Sequence, residues 1–179
     1  MRKSLHLYPL LILSTFFLSG AGWEVIAEED GITVLQKEVE GRSLPIFKGE
    51  GNVNENLYEI LGVLRDIDKA KEWMHACIES KLIKAITEQQ FIVYNRTEAP
   101  WPISDRDVVL QSKATYNKKT KTVMITMQSI ETPEVPEVDG VVRMPRLRGR
   151  FNLQSISDKV TFVTYEIDAD PGGLLPHWI

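Results

Sequence analysis

"DVVLQSKATYNKKTKTVMITMQSI", Asp107 to Ile130, holds two alternating runs parted by the turn-forming piece Asn117 to Thr120. In the first run Val108, Leu110, Ser112 and Ala114 are small or apolar, whereas Val109, Gln111, Lys113 and Thr115 are mostly polar. A strand sends successive side chains to opposite faces, so this run reads as a strand with its even-numbered positions turned inward. Two such runs on a short connection pair antiparallel.

Working outward, "QQFIVYNRTEA", "GVVRMP", "RGRFNLQSI" and "KVTFVTYEIDAD" are four further strand-like runs with short turn-forming pieces between them, which predicts an antiparallel meander. In the third, Phe151 and Leu153 share the inward parity; in the fourth, Val163, Tyr165 and Ile167 do. Upstream, "GITVLQKEV" behind the turn dipeptide Asp30-Gly31 predicts a hairpin within two or three short strands from Trp23 to Phe47. The period then changes: Leu57, Ile60, Leu61 and Leu64 recur at three and four residues, an amphipathic helix with Asn54 as its expected N-cap. A shorter helix is expected at Asp68 to Met74, and "CIESKLIKAI" reads as a turn or the start of the next strand. Strands, helices, then a long series of strands is an α+β order rather than a βαβ repeat.

At 179 residues, 43% hydrophobic and 26% charged, the chain is an ordinary globular domain, which sets aside a disordered or fibrous protein. A net charge of −4 gives no reason to expect a nucleic-acid partner. Arg2 and Lys3, the apolar stretch Leu7 to Leu18 and the small residues Ser19 to Gly22 read as an export signal, residues 1–22. The stretch falls short of the roughly 20 residues that span a bilayer. A mature domain over 23–179, in the periplasm or outside the cell, is expected. Cys77 is the single cysteine, which rules out an internal disulfide.

Catalytic motifs are sparse. His75 and His177 are the histidines beyond residue 22, no G-x-S-x-G elbow occurs, and Gly172-Gly173 belongs to a turn rather than a phosphate loop. Asp105-Arg106-Asp107 has its aspartates on one side and its arginine on the other, so nothing makes an acid and a base converge. The plainer account has Asp105 capping a turn and Arg106 paired with a carboxylate elsewhere. No metal, cofactor or catalytic residue is assigned, and an enzyme is not expected. Arg143, Arg146, Arg148 and Arg150 could meet an anionic membrane surface or a lipid headgroup, but Arg146, Arg148 and Arg150 share a parity opposite to Phe151 and read as a solvated hairpin. Arg143 keeps the inward parity if Pro145 leaves the register unchanged, which makes it a candidate polar contact. The loop "ETPEVPEVDG" is either a plain connection or a flap over a cavity mouth.

The inward positions mix large apolar residues with Ser112, Ala114, Gly149 and Ser155, and two or three helices are few to cover six or more strands. Such a sheet either packs into a dense core or encloses a cavity that a ligand fills.

The stretches "KEWMHACIES", "PWPISDRDVVLQSKATYN", "VVRM" and "TYEIDADPGGLLPHWI" together resemble the START family of steroidogenic-acute-regulatory-related lipid-transfer domains, in its bacterial single-domain form, over Trp23 to Ile179. Trp73, Ser104 to Asp107, Asp170 to Gly173, Pro176 and Trp178 stand in the family's order and spacing. The resemblance implies a helix-grip fold, a curved antiparallel sheet with flanking helices, holding one lipid or sterol-like molecule as carrier or sensor. Family sequences continue past the proline-tryptophan segment into a long lid helix, whereas the sequence stops at Ile179, so the expectation is a C-terminally incomplete domain, either a fragment or one whose cover a partner supplies; a pocket lacking that wall would expose a broad apolar patch. Where some members hold a buried acid and an arginine, the aligned residues are Tyr94 and Ser112, a hydroxyl pair able to bond an alcohol or ester. The expected binding residues are therefore Tyr94, Val108, Leu110, Ser112, Arg143, Phe151, Leu153, Val163 and Tyr165. The partners expected are a hydrophobic small molecule and transiently a membrane, with the chain a monomer. A polyketide cyclase- or aromatase-like or hydrolase-like enzyme on the same fold, or a protein-interaction module, is the alternative.

Overall fold

A computed structural model describes residues 22–42 and 44–173. The order is β1 (Glu24–Glu29), β2 (Ile32–Lys37), β3 (Ile46–Val53), α1 (Leu57–Arg65), a 3-10 turn (Ile67–Lys69) and α2 (Ala70–Trp73). Then come β4 (Cys77–Thr87), β5 (Gln90–Thr97), β6 (Arg106–Asn117), β7 (Thr122–Ser129), β8 (Val142–Arg143), β9 (Arg146–Ser157) and β10 (Val160–Asp170). All belong to one open sheet in the order β1-β2-β3-β10-β9-β7-β6-β5-β4, antiparallel throughout that path. The two-residue β8 departs from the predicted meander by lying parallel to β6.

The opening stretch forms the β6–β7 hairpin, with Ala114 opposite Ile125 and Ser112 opposite Met127. Register carries the inward parity across the sheet: Ile125 faces Phe151, Phe151 faces Tyr165, and Tyr165 faces Gly49. One face is thus apolar from β5 to β3, as the alternation requires.

From β3 to β4 the chain crosses five strands, six spacings or about 29 Å, and it carries the helices across the apolar face. Leu57 of α1 is buried in one cluster with Val123, Ile125 and Leu153, and Ile60, Leu61 and Leu64 pack against it. Asn56, rather than Asn54, caps α1: its Oδ1 accepts from the N–H groups of Tyr58 (2.9 Å) and Glu59 (3.1 Å). The buried Thr161 hydroxyl donates to the Glu55 carbonyl at 2.9 Å and fixes where the helix starts on the sheet.

"CIESKLIKAI" is fully strand, the outer strand β4, whose pairing with β5 shifts register three times. Bulges and the charges of Lys81 and Lys84 on β4, and of Glu24, Glu28 and Glu29 on β1, discourage edge-to-edge pairing. The expected signal segment, residues 1–22, lies outside the described residues except for Gly22, as do Pro176 and Trp178.

Candidate functional site

Seven of the expected binding residues share the apolar face: Val108, Leu110, Ser112, Phe151, Leu153, Val163 and Tyr165. Five of them divide between two clusters. Leu153 is fully buried beneath α1, with Phe151 and Val163 packed against that group. Val108 and Leu110 lie with Leu147, Met144, Ile167 and Ala169 toward the start of β6. The Phe151 and Tyr165 rings stack at 4.3 Å between centroids and 22° between planes, bridging β9 and β10. Burial pushes the Tyr165 hydroxyl above the ordinary tyrosine range.

Between α1 and the β4–β5 and β6–β7 hairpins lies a concavity of about 250 Å³. Leu61, Leu64, Phe91, Ala114, Val123 and Ile125 give it apolar walls, and Ser112, Tyr58 and Tyr116 supply hydroxyls. At its margin the exposed Arg65 donates from Nη2 to the Glu88 carbonyl at 3.1 Å and lies 5.6 Å over the Phe91 ring. Expectation from the alternation of β6 alone did not reach Phe91, Val123, Ile125 or the α1 residues. The helical spacing of Leu57, Leu61 and Leu64 was a signal, but not of the strands they would meet.

Tyr94 and Arg143 are on the other face. Tyr94 is paired with Val109, not with a residue of the inward parity, so it cannot form a hydroxyl pair with Ser112. Arg143 was expected to face inward; the parallel pairing of β8 sets it beside Asp107 instead. Its Nε and Nη2 donate to the Asp107 carboxylate at 2.7 and 3.1 Å. Its other donors hold the carbonyls of Val135 and Pro136, so the acidic loop is fastened on this polar side, with Glu134 also paired to Lys84 at 3.1 Å. The hairpin arginines also belong here: Arg150 meets Glu166 at 2.7 Å and Arg146 meets Asp168 at 3.5 Å across β9 and β10.

The Asp105-Arg106-Asp107 cluster is divided by the same alternation. Asp105 closes its turn as expected, accepting from the Ala99 N–H at 3.2 Å, and it also pairs with Arg96 at 2.6 Å. The Arg96 hydrogen bond is the main reason the Asp105 carboxyl sits below the usual carboxylate range. Arg106 turns to the apolar face and, contrary to expectation, binds carbonyls rather than a carboxylate: Nη1 donates to Ser104 at 2.5 Å and Nη2 to Gly172 at 3.3 Å. Gly172 presents that carbonyl at φ +64, where a Cβ would come within 2.9 Å of Pro145 Cδ. Among the described residues no three His, Cys, Asp or Glu side chains converge as metal ligands would.

An open antiparallel sheet whose apolar face is crossed by a few helices, with room left beneath them, defines the helix-grip class. The family model of the START domain matches residues 13–179, so the chain belongs to the START-domain family. It is similar to an uncharacterised protein of Pseudomonas aeruginosa, 31% identical over 88% of this chain and 76% of that one. It is 29% identical to the phosphatidylcholine transfer protein of Bos taurus, over 90% of this chain and 76% of that one. Among solved structures, the STAR-related lipid transfer protein fragment from Xanthomonas axonopodis superposes with a TM-score of 0.79 at 32% identity, covering 88% of this chain and 86% of that one.

Proposed function

We propose that this protein binds one lipid or sterol-like molecule on the apolar face of its sheet, with the molecule's hydrocarbon entering the concavity beneath α1, and that it carries or senses that molecule without chemical turnover. The observation that carries the reading is the apolar concavity of about 250 Å³, which lies on the same face as the buried apolar cluster of Val108, Leu110 and Leu147. Family membership and the similarity to lipid transfer proteins support it. Binding energy would come from apolar area buried, at roughly 25 cal/mol per Å², less the cost of immobilising the ligand. The reading without turnover is supported by the commitment of Asp105 and Asp107 to arginines on the opposite face, which keeps these two carboxylates away from the concavity. Export to the periplasm or beyond rests on Arg2, Lys3 and the apolar stretch Leu7 to Leu18.

Native mass spectrometry of the gently purified protein tests the reading. One hydrophobic molecule per chain is expected, on a polypeptide whose processed N-terminus lies near Trp23. An Ala114→Phe variant, which fills the concavity, is expected to lose at least tenfold in occupancy. A protein that purifies empty and takes up no lipid from vesicles would refute it.

A further inference from the structure

We propose that Arg106 is the head-group contact of this face, so that the ligand is an anionic amphiphile whose carboxylate or phosphate meets the guanidinium. This rests on the reading that the face binds a hydrophobic molecule, and narrows it to ligands whose head group carries an anion, with neutral twins bound more weakly.

Arg106 shares the parity of Val108, Leu110 and Ser112, and only 8% of its surface is exposed. Two neutral carbonyls take its Nη1 and Nη2, while Nε is buried with no hydrogen-bond partner among the described residues. A buried N–H without an acceptor is rare, and a buried cation held by neutral groups alone keeps an uncompensated charge. Among the described residues no carboxylate lies within ion-pair distance of it, whereas Arg96, Arg143, Arg146 and Arg150 each have one. The nearby acids Asp105 and Asp107 cannot serve, because they are on the opposite face and already paired. Among the described residues the side chain therefore has no anionic partner on the face proposed to take a ligand.

Spacing fits an amphiphile. From Ser112, which lines the concavity, to Arg106 is six residues of strand, about 20 Å. The strip between is apolar. One leaflet's share of a bilayer's hydrocarbon is about 15 Å, so an acyl chain laid along this strip from the margin of the concavity would cover about three quarters of it and turn its head group toward the Arg106 end.

The test compares matched pairs at pH 8: oleate against oleyl alcohol, and dioleoyl phosphatidic acid against dioleoylglycerol in phosphatidylcholine vesicles. The carboxylate pair and the phosphate pair together report which anion is preferred. At least one anionic member is expected to bind about 10- to 100-fold more tightly than its neutral twin, with the preference reduced to within threefold in Arg106→Gln. Equal affinities within both pairs in the unmodified protein would overturn the head-group assignment while leaving hydrophobic binding intact, whatever the fate of the variant. A folded Arg106→Gln that kept the full preference would overturn it too. Failure of all four ligands to bind would overturn both readings.

Discussion

Tyr94 and Asp107 lie on the face that alternation marks as polar, yet they expose only 5% and 1% of their surface. The reason is local: Arg143 and the loop it fastens fold over that end of the sheet, and a buried carboxylate is tolerable there because a guanidinium meets it with two hydrogen bonds. Burial first, and the negative charge of Asp107 second, push Tyr94 up to about 12. The folded state thus favours the neutral phenol, and the stability this contributes is fully present below about pH 10 and is lost as pH rises toward 12. An ultraviolet titration should show one tyrosine delayed to about pH 12, absent in Tyr94→Phe and shifted down in Asp107→Asn. A protein with no tyrosine delayed that far would contradict the buried placement.

At the scale of elements, α1 matters most to the site because it is the roof of the concavity. Asn54, the expected cap, and Asn56, the observed one, both precede its apolar stripe. The choice of Asn56 follows from reach, since a cap must accept from the second and third helical N–H groups. Asn56→Ala is expected to cost about 1 kcal/mol in urea unfolding and to speed release of a bound fluorescent fatty acid, because a frayed first turn loosens Leu57 and Leu61 over the pocket. Unchanged stability would show that the Thr161 hydroxyl, not the cap, fixes this end. The β6–β7 hairpin, by contrast, was legible almost residue by residue, since its alternation and its turn are properties of one contiguous stretch.

For the whole molecule, the proposed carrier role requires a contact with the membrane. Trp101, in the connection between β5 and β6, is 91% exposed, and Pro100, Pro102 and Ile103 flank it. An exposed indole on an apolar loop suits a membrane interface, where its ring is buried and its N–H stays hydrated. We predict that Trp101→Ser slows lipid exchange between vesicles about fivefold while leaving the amount of lipid bound unchanged. Equal exchange rates would remove this loop from any membrane contact.

The sequence by itself determined the parity of Val108, Leu110, Phe151, Leu153 and Tyr165, the apolar stripe of α1 and the α+β order, because each is set by the fixed geometry of a continuous stretch of backbone. Only the tertiary structure decided that β3 lies beside β10, that α1 covers Val123 and Leu153, and that β8 pairs parallel with β6 and so turns Arg143 away. It decided Tyr94 as well, by pairing it with Val109. Those outcomes depend on contacts between residues far apart in the chain, and alternation fixes which residues share a face within a strand but not how the faces of separate strands align.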